Sequence, residues 1–176
     1  CVKNNSAFPL KSPKTKEVLR KVNARELWQK ILETRMATGE PYLVFVDTVN
    51  NTMSKHQKES GLKVSTSNLC SEIMLHTGLD HKGKERTAVC CLSSVNLEKW
   101  HEWSLEKKFI EDIMRFLDNV LEDFINRAPE SMKNAVYSAI RERSVGLGAM
   151  GFHSFLQKEK IPFESSLAKS WNIKFF

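Results

Sequence analysis

The hydrophobic positions along the chain follow a helical period in several stretches. Apolar residues at three- and four-residue spacing predict a first helix that begins near Ala24 and ends at Gly39 and Pro41. The strongest period lies between Ser104 and Arg127, where a single apolar stripe indicates a helix packed against a core. The members of this stripe are Phe109, Ile110, Ile113, Met114, Leu117, Val120, Leu121, Phe124 and Ile125.

Capping residues and helix breakers complete the helical prediction. Ser104 is the expected N-cap of the long helix, and Pro129 lies beyond its end. Shorter helices are predicted over residues 130–141, 150–158 and 164–176.

Two short apolar runs rich in β-forming residues predict buried strands, at 42–47 and at 87–97. Residues 1–22 are polar, lysine-rich and interrupted by two prolines, so we expect an irregular lead-in there. Residues 51–63 are polar and predict a loop. Strands that alternate with helices indicate an α/β architecture.

One stretch, residues 65–75, combines side chains that suit chemistry. Asn68, Cys70 and Glu72 are two residues apart, and side chains alternate faces along an extended backbone, so an extended stretch would point all three the same way. A carboxylate can act as acid or base, an amide can position a hydroxyl, and a thiol can act as a nucleophile or redox centre. The stretch is therefore the first candidate for a functional site.

A second pair of thiols follows in the predicted strand at 87–97. Cys90 and Cys91 would face opposite sides of an extended chain, so only one of them can share a site with Cys70. The simpler interpretation is that both are small buried residues, which cysteine commonly is. His76 and His81 lack the regular spacing of further ligands that a metal site requires.

Three glycines, Gly146, Gly148 and Gly151, match the order of a dinucleotide-binding loop. The residues before them follow a predicted helix, whereas such a loop follows an apolar strand. Close approach of neighbouring backbone elements is therefore the favoured interpretation of these glycines.

The bulk composition fits one globular domain or a large piece of one. The chain has 176 residues, is 41% hydrophobic and 27% charged, and carries a net charge of +6. The lysines are dispersed, so we interpret them mainly as solvated surface. There is no apolar run long enough to cross a bilayer, and four cysteines are too few for a secreted disulfide scaffold. A cytoplasmic location is expected.

Four segments together resemble one family. Residues 68–72 look like the active-site loop of ribonucleotide reductase large (catalytic) subunits, and residues 88–97 look like the strand that carries their second active-site cysteine. Residues 143–152 resemble the family's arginine- and glycine-rich segment, and residues 39–47 resemble the strand before the loop. The resemblance covers essentially the whole chain, and it implies that this chain is a middle portion of that subunit.

This resemblance implies a fold and a set of residue roles. The fold would be part of a ten-stranded α/β barrel with a central active-site loop, plus packed helices. Cys70 would become a transient thiyl radical at the tip of that loop and take the 3′ hydrogen atom of a bound ribonucleotide. Glu72 would act as the base on the 3′-hydroxyl, and Asn68 would bind the ribose hydroxyls, with Ser67 also at the substrate. Cys90 would belong to the cysteine pair that reduces the substrate, and Cys91 would serve packing.

The resemblance also implies partners. They are a ribonucleoside diphosphate, the rest of the large subunit, a radical-generating small subunit that contains the metal, and thioredoxin or glutaredoxin as reductant. No cofactor is expected on this chain, allosteric nucleotides would bind elsewhere in the subunit, and no membrane or nucleic acid is involved. Residues 1–176 would be a partial catalytic domain, with a lead-in at 1–22 and the barrel portion at 23–176, and the chain alone is expected to be inactive.

Other interpretations stay open. The cobalamin-dependent class of the same family shares the loop and the cysteines. A non-catalytic basic module that binds nucleic acid would explain the charge but leaves the Asn-x-Cys-x-Glu pattern without a purpose. A third possibility is one piece of a split enzyme that is competent only with companion chains.

Overall fold

The computed structural model describes all residues from Cys1 to Phe176, in two compact units at 1–45 and 46–176. The first unit contains an antiparallel hairpin followed by a helix: β1 (Ala7–Lys11), β2 (Val18–Asn23) and α1 (Ala24–Thr38). The irregular lead-in predicted for residues 1–22 is therefore wrong. A polar turn joins the two strands and allows the hairpin to form. Strands whose surface is largely exposed to solvent do not need a continuous apolar run, so the sequence gives no strong strand signal here.

Helix α1 has the ends that the sequence predicts. The side chain of Asn23 accepts hydrogen bonds from the backbone N–H groups of Arg25 and Glu26, which caps the N-terminus. Gly39 ends the helix in the left-handed conformation at φ 81°, and its N–H donates to the carbonyl of Arg35.

The second unit begins with helices where a strand and a loop were predicted. Residues 42–45 form no strand, and α2 (Val46–Thr52) starts inside the apolar run, followed by α3 (Lys55–Glu59). The predicted strand at 42–47 is therefore wrong. A short apolar run becomes a strand only when a neighbouring strand pairs with it, and the structure provides no such partner.

Three two-stranded sheets are present, and one of them, in the second unit, is parallel. In it, β5 (Leu92–Asn96) pairs with β6 (Gly146–Met150), in register from Leu92 opposite Gly146 to Asn96 opposite Met150. A small antiparallel hairpin, β3 (Gly78–Leu79) and β4 (Glu85–Arg86), precedes them. The predicted strand at 87–97 is thus shorter than expected, because β5 begins after both cysteines.

Helices connect and flank the parallel pair. Between β5 and β6 lie α4 (Trp100–Trp103), α5 (Phe109–Arg127) and α6 (Lys133–Glu142), and after β6 come α7 (Phe152–Lys158) and α8 (Ser166–Phe175). Single 3₁₀ turns precede α4 and α6. None of these helices is both long and apolar enough to cross a membrane.

The long predicted helix starts later than expected. Ser104 does not cap it. Ser104 instead ends α4, since its N–H donates to the carbonyl of Trp100, and α5 begins only at Phe109. The acidic side chains of Glu111 and Asp112 instead occupy the first turn, where they complement the helix dipole. The predicted apolar stripe is confirmed in part, since Leu117 and Leu121 are buried whereas Ile110, Met114 and Val120 are exposed.

The most completely buried cluster lies where α7 meets α8. Phe155 and Leu156 have no exposed surface and pack with Ala168. Partly buried aromatic and aliphatic side chains surround them, namely Trp100, Phe152, Ile161, Trp171 and Phe175. This cluster anchors the C-terminal helices beside the parallel pair.

Candidate active site

Cys70 lies in a turn rather than on an extended stretch. The chain reverses at residues 69–71, where Ser71 adopts the left-handed conformation at φ 65° and its N–H donates to the carbonyl of Asn68 at 3.1 Å. The predicted alternation, which placed Asn68, Cys70 and Glu72 on one face, is therefore wrong. The backbone periodicity that it assumed stops at this turn. Cys70 is exposed there as a free thiol.

The middle of the loop is closed by two polar side chains. The carboxamide oxygen of Asn68 accepts a hydrogen bond from the N–H of Ile73 at 3.0 Å. The hydroxyl of Ser67 lies 3.0 Å from the carbonyl oxygen of Ile73 and 3.2 Å from Asn68 Oδ1. A hydroxyl has one proton, so these two acceptors share it. Asn68 keeps its two N–H donors free of partners.

The base of the loop is held by two more side chains. Asn50 of α2 pairs with the backbone of Val64 through both its amide groups, at 2.8 Å to the carbonyl and 2.9 Å from the N–H. The buried His76 has its Nδ1 within 3.0 Å of the Lys63 N–H and its Nε2 3.2 Å from the carbonyl of Gly78. We refer to residues 63–76 as the Cys70 loop.

Cys90 lines a small cavity together with residues of the loop. The cavity has a volume of about 180 Å³, and Ser67, Asn68 and Cys90 are among the side chains that line it, with Thr66, Ile73, Leu75, Thr77 and Ala88. Cys70 does not line this cavity. The structure therefore brings three of the predicted site residues together and leaves the Cys70 thiol at the exposed turn.

Cys91 faces the opposite side, as predicted. It lines a second cavity of about 220 Å³ together with Glu72 and the segment Ser144–Gly146. Its thiol lies 3.4 Å from the carbonyl oxygen of Leu117 and donates to it. Burial raises the pKa of the Cys91 thiol, and the nearby Cys90 and Asp118 raise it further, since each disfavours a thiolate. Cys91 is thus a packing residue against α5, and Glu72 lies on its side rather than beside Cys90.

The glycine-rich segment is a strand and not a phosphate-binding loop. Gly146 and Gly148 lie within β6, against β5. A Cβ atom on Gly148 would come within 3.1 Å of Ser94 Oγ, so the small residue allows the close approach of the two strands. The favoured interpretation of these glycines is confirmed.

A buried ionic cluster, which the sequence does not predict, lies beside the site. Arg86 donates from Nε to Asp80 at 3.0 Å and from a terminal nitrogen to Glu142 at 2.8 Å, and Tyr137 donates to Asp80 at 2.9 Å. Asp80 is within the turn-rich connection after the loop, while Tyr137 and Glu142 are on α6, more than 50 residues later in the chain. No local pattern joins residues so far apart.

Hydrogen bonding dominates the ionisation of Asp80. Burial alone would raise its pKa, but hydrogen bonds from the N–H groups of Lys82 and Lys84, from Arg86 and from Tyr137 hold the pKa of this carboxyl well below its usual range. Burial likewise opposes the charge of Arg86, and the two carboxylates overcome it and raise its pKa. The cluster therefore stays charged.

No group of three or more histidine, cysteine, aspartate or glutamate side chains is arranged to hold a metal ion. All four cysteines are free thiols.

The chain matches the model of the ribonucleotide reductase barrel domain over residues 9–176. It is 50% identical over 171 residues to a Frog virus 3 protein named as the large subunit of a ribonucleoside-diphosphate reductase, covering 96% of this chain and 29% of that protein. The ribonucleoside-diphosphate reductase large subunit of Invertebrate iridescent virus 3 is 45% identical over 169 residues, covering 96% of this chain and 26% of that protein.

Among solved structures, the chain is similar to the class Id ribonucleotide reductase alpha subunit of Actinobacillus ureae. The TM-score is 0.70 at 38% identity, over 84% of this chain and 28% of that one. The chain therefore spans less than a third of the length of these relatives. The predicted α/β barrel class is confirmed, with β5 and β6 as a parallel pair joined through helices. The chain belongs to the ribonucleotide reductase large-subunit family and matches part of that subunit, within its barrel domain.

Proposed function

We propose that this chain supplies the thiol chemistry of a ribonucleoside-diphosphate reductase. The observation that carries the proposal is the placement of Asn68 and Cys90 around one cavity, at the loop whose turn bears Cys70. Chain membership in the large-subunit family supports the assignment of these residues to ribonucleotide reduction.

In this proposal Cys70 starts the reaction. A thiyl radical at Cys70 takes the 3′ hydrogen atom of the ribose, which leaves an S–H bond and a carbon radical. Sulfur suits this step because S–H and ribose C–H bonds are close enough in strength for the transfer to reverse. The radical itself comes from a partner, a metal-containing small subunit. The exposed turn places Cys70 where other polypeptide can cover it, and exclusion of water would protect the radical.

Polar residues of the loop then serve the substrate. The free N–H donors of Asn68 suit the ribose hydroxyls, and Ser67 lies on the same cavity wall. Glu72 is exposed, and we propose that it accepts the proton of the 3′-hydroxyl once substrate brings the two together.

Cys90 provides reducing equivalents in the same proposal. The ribonucleotide gains two electrons and two protons and loses its 2′-hydroxyl as water, while Cys90 and a second thiol become one disulfide. Thioredoxin or glutaredoxin would then reduce that disulfide in the cytoplasm. Cys90 suits this role because it is an exposed free thiol on the cavity wall, whereas Cys91 is bonded to Leu117 on the other side.

We propose that the enzyme belongs to class I, with a separate radical-generating subunit, because one solved structure that the chain resembles is a class Id alpha subunit. The cobalamin-dependent class is the alternative. Turnover of the assembled enzyme without cobalamin, in the presence of the small subunit, is the expected result. Turnover that requires added cobalamin would contradict the class I assignment.

Two adjacent cysteines provide a matched test of the reductant. In the assembled enzyme, Cys90→Ser should block the reduction step and so prevent formation of the deoxy product even in a first turnover. Cys91→Ser should leave most of the activity, because the hydroxyl can still reach the Leu117 carbonyl. Quantifying the 2′-deoxyribonucleoside diphosphate by chromatography measures both. Normal turnover by the Cys90→Ser enzyme would overturn the proposed role of Cys90.

A further inference from the structure

The buried cluster of Asp80, Arg86, Tyr137 and Glu142 joins two parts of the chain that lead to Cys90. The side chains of Asp80, Arg86 and Glu142 are 0%, 4% and 10% exposed, so this is an interior ion-pair network and not a surface one. It connects the β3–β4 hairpin with the end of α6.

Two backbone segments leave this cluster side by side. Arg86 is four residues before Cys90, and Glu142 is four residues before Gly146. The segments meet again where the N–H of Gly146 donates to the carbonyl of Cys91 at 2.9 Å, and the parallel ladder of β5 and β6 continues from there. The two segments are residues 86–91 and residues 142–146. The Arg86–Glu142 ion pair joins their first residues, and the Gly146–Cys91 hydrogen bond joins their last.

Other contacts hold the cysteine segment between these ends. The N–H of Thr87 donates to the carbonyl of Asn134 on α6 at 3.3 Å, and the N–H of Ala88 donates to the hydroxyl of Thr77 at 3.1 Å. The second contact links the segment to the residue directly after the Cys70 loop. A shift of the segment along α6 would break both contacts and would move Cys90 relative to Asn68.

We propose that Arg86 is a positioning residue for Cys90: by bridging Asp80 and Glu142 it sets the register in which the cysteine segment meets β6, and so holds Cys90 at the cavity that it lines with Asn68. The inference rests on the proposed function for its catalytic consequence. It assigns no chemical step to Arg86, which contacts neither cysteine.

The guanidinium group is suited to this role by its shape. It donates to Asp80 through Nε and to Glu142 through a terminal nitrogen, in two directions of one rigid plane. A lysine ammonium is a compact charge on a flexible stem, and it would not fix both carboxylates in the same geometry. Arg86→Lys therefore keeps the charge while it removes the bridge.

The test measures register and turnover separately. In the 176-residue chain, Arg86→Lys and Glu142→Gln should speed amide hydrogen exchange at Gly146 by about tenfold, because its bond to Cys91 opens more often. In the assembled reductase, the same substitutions should lower kcat by about 10²-fold with little change in KM, since Cys90 is misplaced for its step but substrate binding is not.

Arg115→Lys is the matched control. It makes the same change in another arginine–glutamate pair, with Glu111, on the solvent face of α5, where the two side chains are 72% and 53% exposed. Exchange at Gly146 and the kinetic constants should stay as in the wild type. Circular dichroism shows whether each variant is folded, and Glu142→Gln, which keeps the side-chain volume and removes the carboxylate charge that pairs with Arg86, serves if Arg86→Lys fails to fold.

The results separate this inference from the proposed function. Unchanged exchange at Gly146 in a folded Arg86→Lys or Glu142→Gln chain overturns the positioning role. Faster exchange with unchanged kcat also overturns it, because the register would then not matter to Cys90. If the wild-type assembly does not reduce ribonucleotides, the proposed function fails, while the exchange data still decide whether Arg86 sets the register.

Discussion

The carboxamide oxygen of Asn68 accepts the N–H of Ile73 at 3.0 Å, and together with the Ser67 hydroxyl this contact closes the Cys70 loop across its middle. The bond spans the turn that presents the Cys70 thiol, so Asn68 braces the loop with its oxygen. Its nitrogen remains available to a ligand. One side chain can thus hold the loop and contact the substrate through different atoms.

Two substitutions at Asn68 separate these tasks. Asn68→Asp keeps an acceptor for Ile73 and should leave amide exchange at Ile73 near the wild-type rate, although it removes the N–H donors. Asn68→Leu removes the acceptor and should speed that exchange by about fivefold to tenfold, as expected for the loss of roughly 1 kcal/mol. Equal exchange rates at Ile73 in the wild type and in Asn68→Leu would show that the loop is braced in another way.

The two adjacent cysteines should differ in their reaction with an alkylating reagent. The thiolate is the reactive form, and burial with the nearby Cys90 and Asp118 raises the pKa of Cys91. Cys91 should therefore react more slowly than Cys90 at mildly alkaline pH, and its rate should rise only at higher pH. Peptide mass spectrometry after timed iodoacetamide treatment resolves the two sites. Identical pH profiles would contradict the placement of Cys91 against Leu117.

Asp80 should make stability depend on acid pH. Its pKa is lowered in the folded protein, so the folded state binds fewer protons than the unfolded state. In the unfolded state this carboxyl has a pKa of about 3.9. The stabilisation is then complete above that value and is lost as the pH falls through the lowered folded-state pKa. Wild type should melt at a higher temperature than Asp80→Asn at pH 7, and the difference should shrink below about pH 4. A difference in Tm that is constant from pH 7 to pH 3 would refute this.

Gly151 should tolerate a side chain less well than a glycine of similar conformation. Its φ is 77°, and an added Cβ would lie 2.5 Å from Asn96 Oδ1, which accepts the N–H of Glu98. Gly83 has a φ of 68° with open space around it. Gly83→Ala should lower the free energy of unfolding by about 1 kcal/mol, because of the left-handed backbone alone. Gly151→Ala should lower it clearly more, because the added Cβ also meets Asn96. Chemical denaturation measures both, and equal losses would show that Asn96 moves aside freely.

Much of the helical structure follows from local sequence. Asn23 and Gly39 define the ends of α1, and the apolar stripe of α5 predicts its buried face, because capping and periodicity act over a few residues. The predicted start of α5 at Ser104 was wrong, because Ser104 ends α4 instead. Serine occurs often in the sequence, and only the folded structure shows which helix end a given serine occupies.

The candidate residues come from the sequence, whereas the geometry of the loop could not be predicted from it. Motif resemblance selected Asn68, Cys70 and Cys90 as candidates, yet the assumption of an extended backbone failed at Ser71. A serine residue gives no sequence signal for the left-handed conformation found there. The Asp80–Arg86–Glu142 cluster could not be anticipated, since it depends on α6 returning to the β3–β4 hairpin.

The assignment of Cys70 as the radical-bearing thiol is tested most directly by Cys70→Ser in the assembled reductase. Serine keeps the turn and the polar contact surface but forms an O–H bond too strong for the reversible transfer of a ribose hydrogen. We expect no detectable 2′-deoxyribonucleoside diphosphate from Cys70→Ser, unchanged binding of the ribonucleoside diphosphate, and wild-type turnover from the control Cys1→Ser. Formation of the deoxy product by the Cys70→Ser enzyme at a rate near that of the wild type would contradict the account.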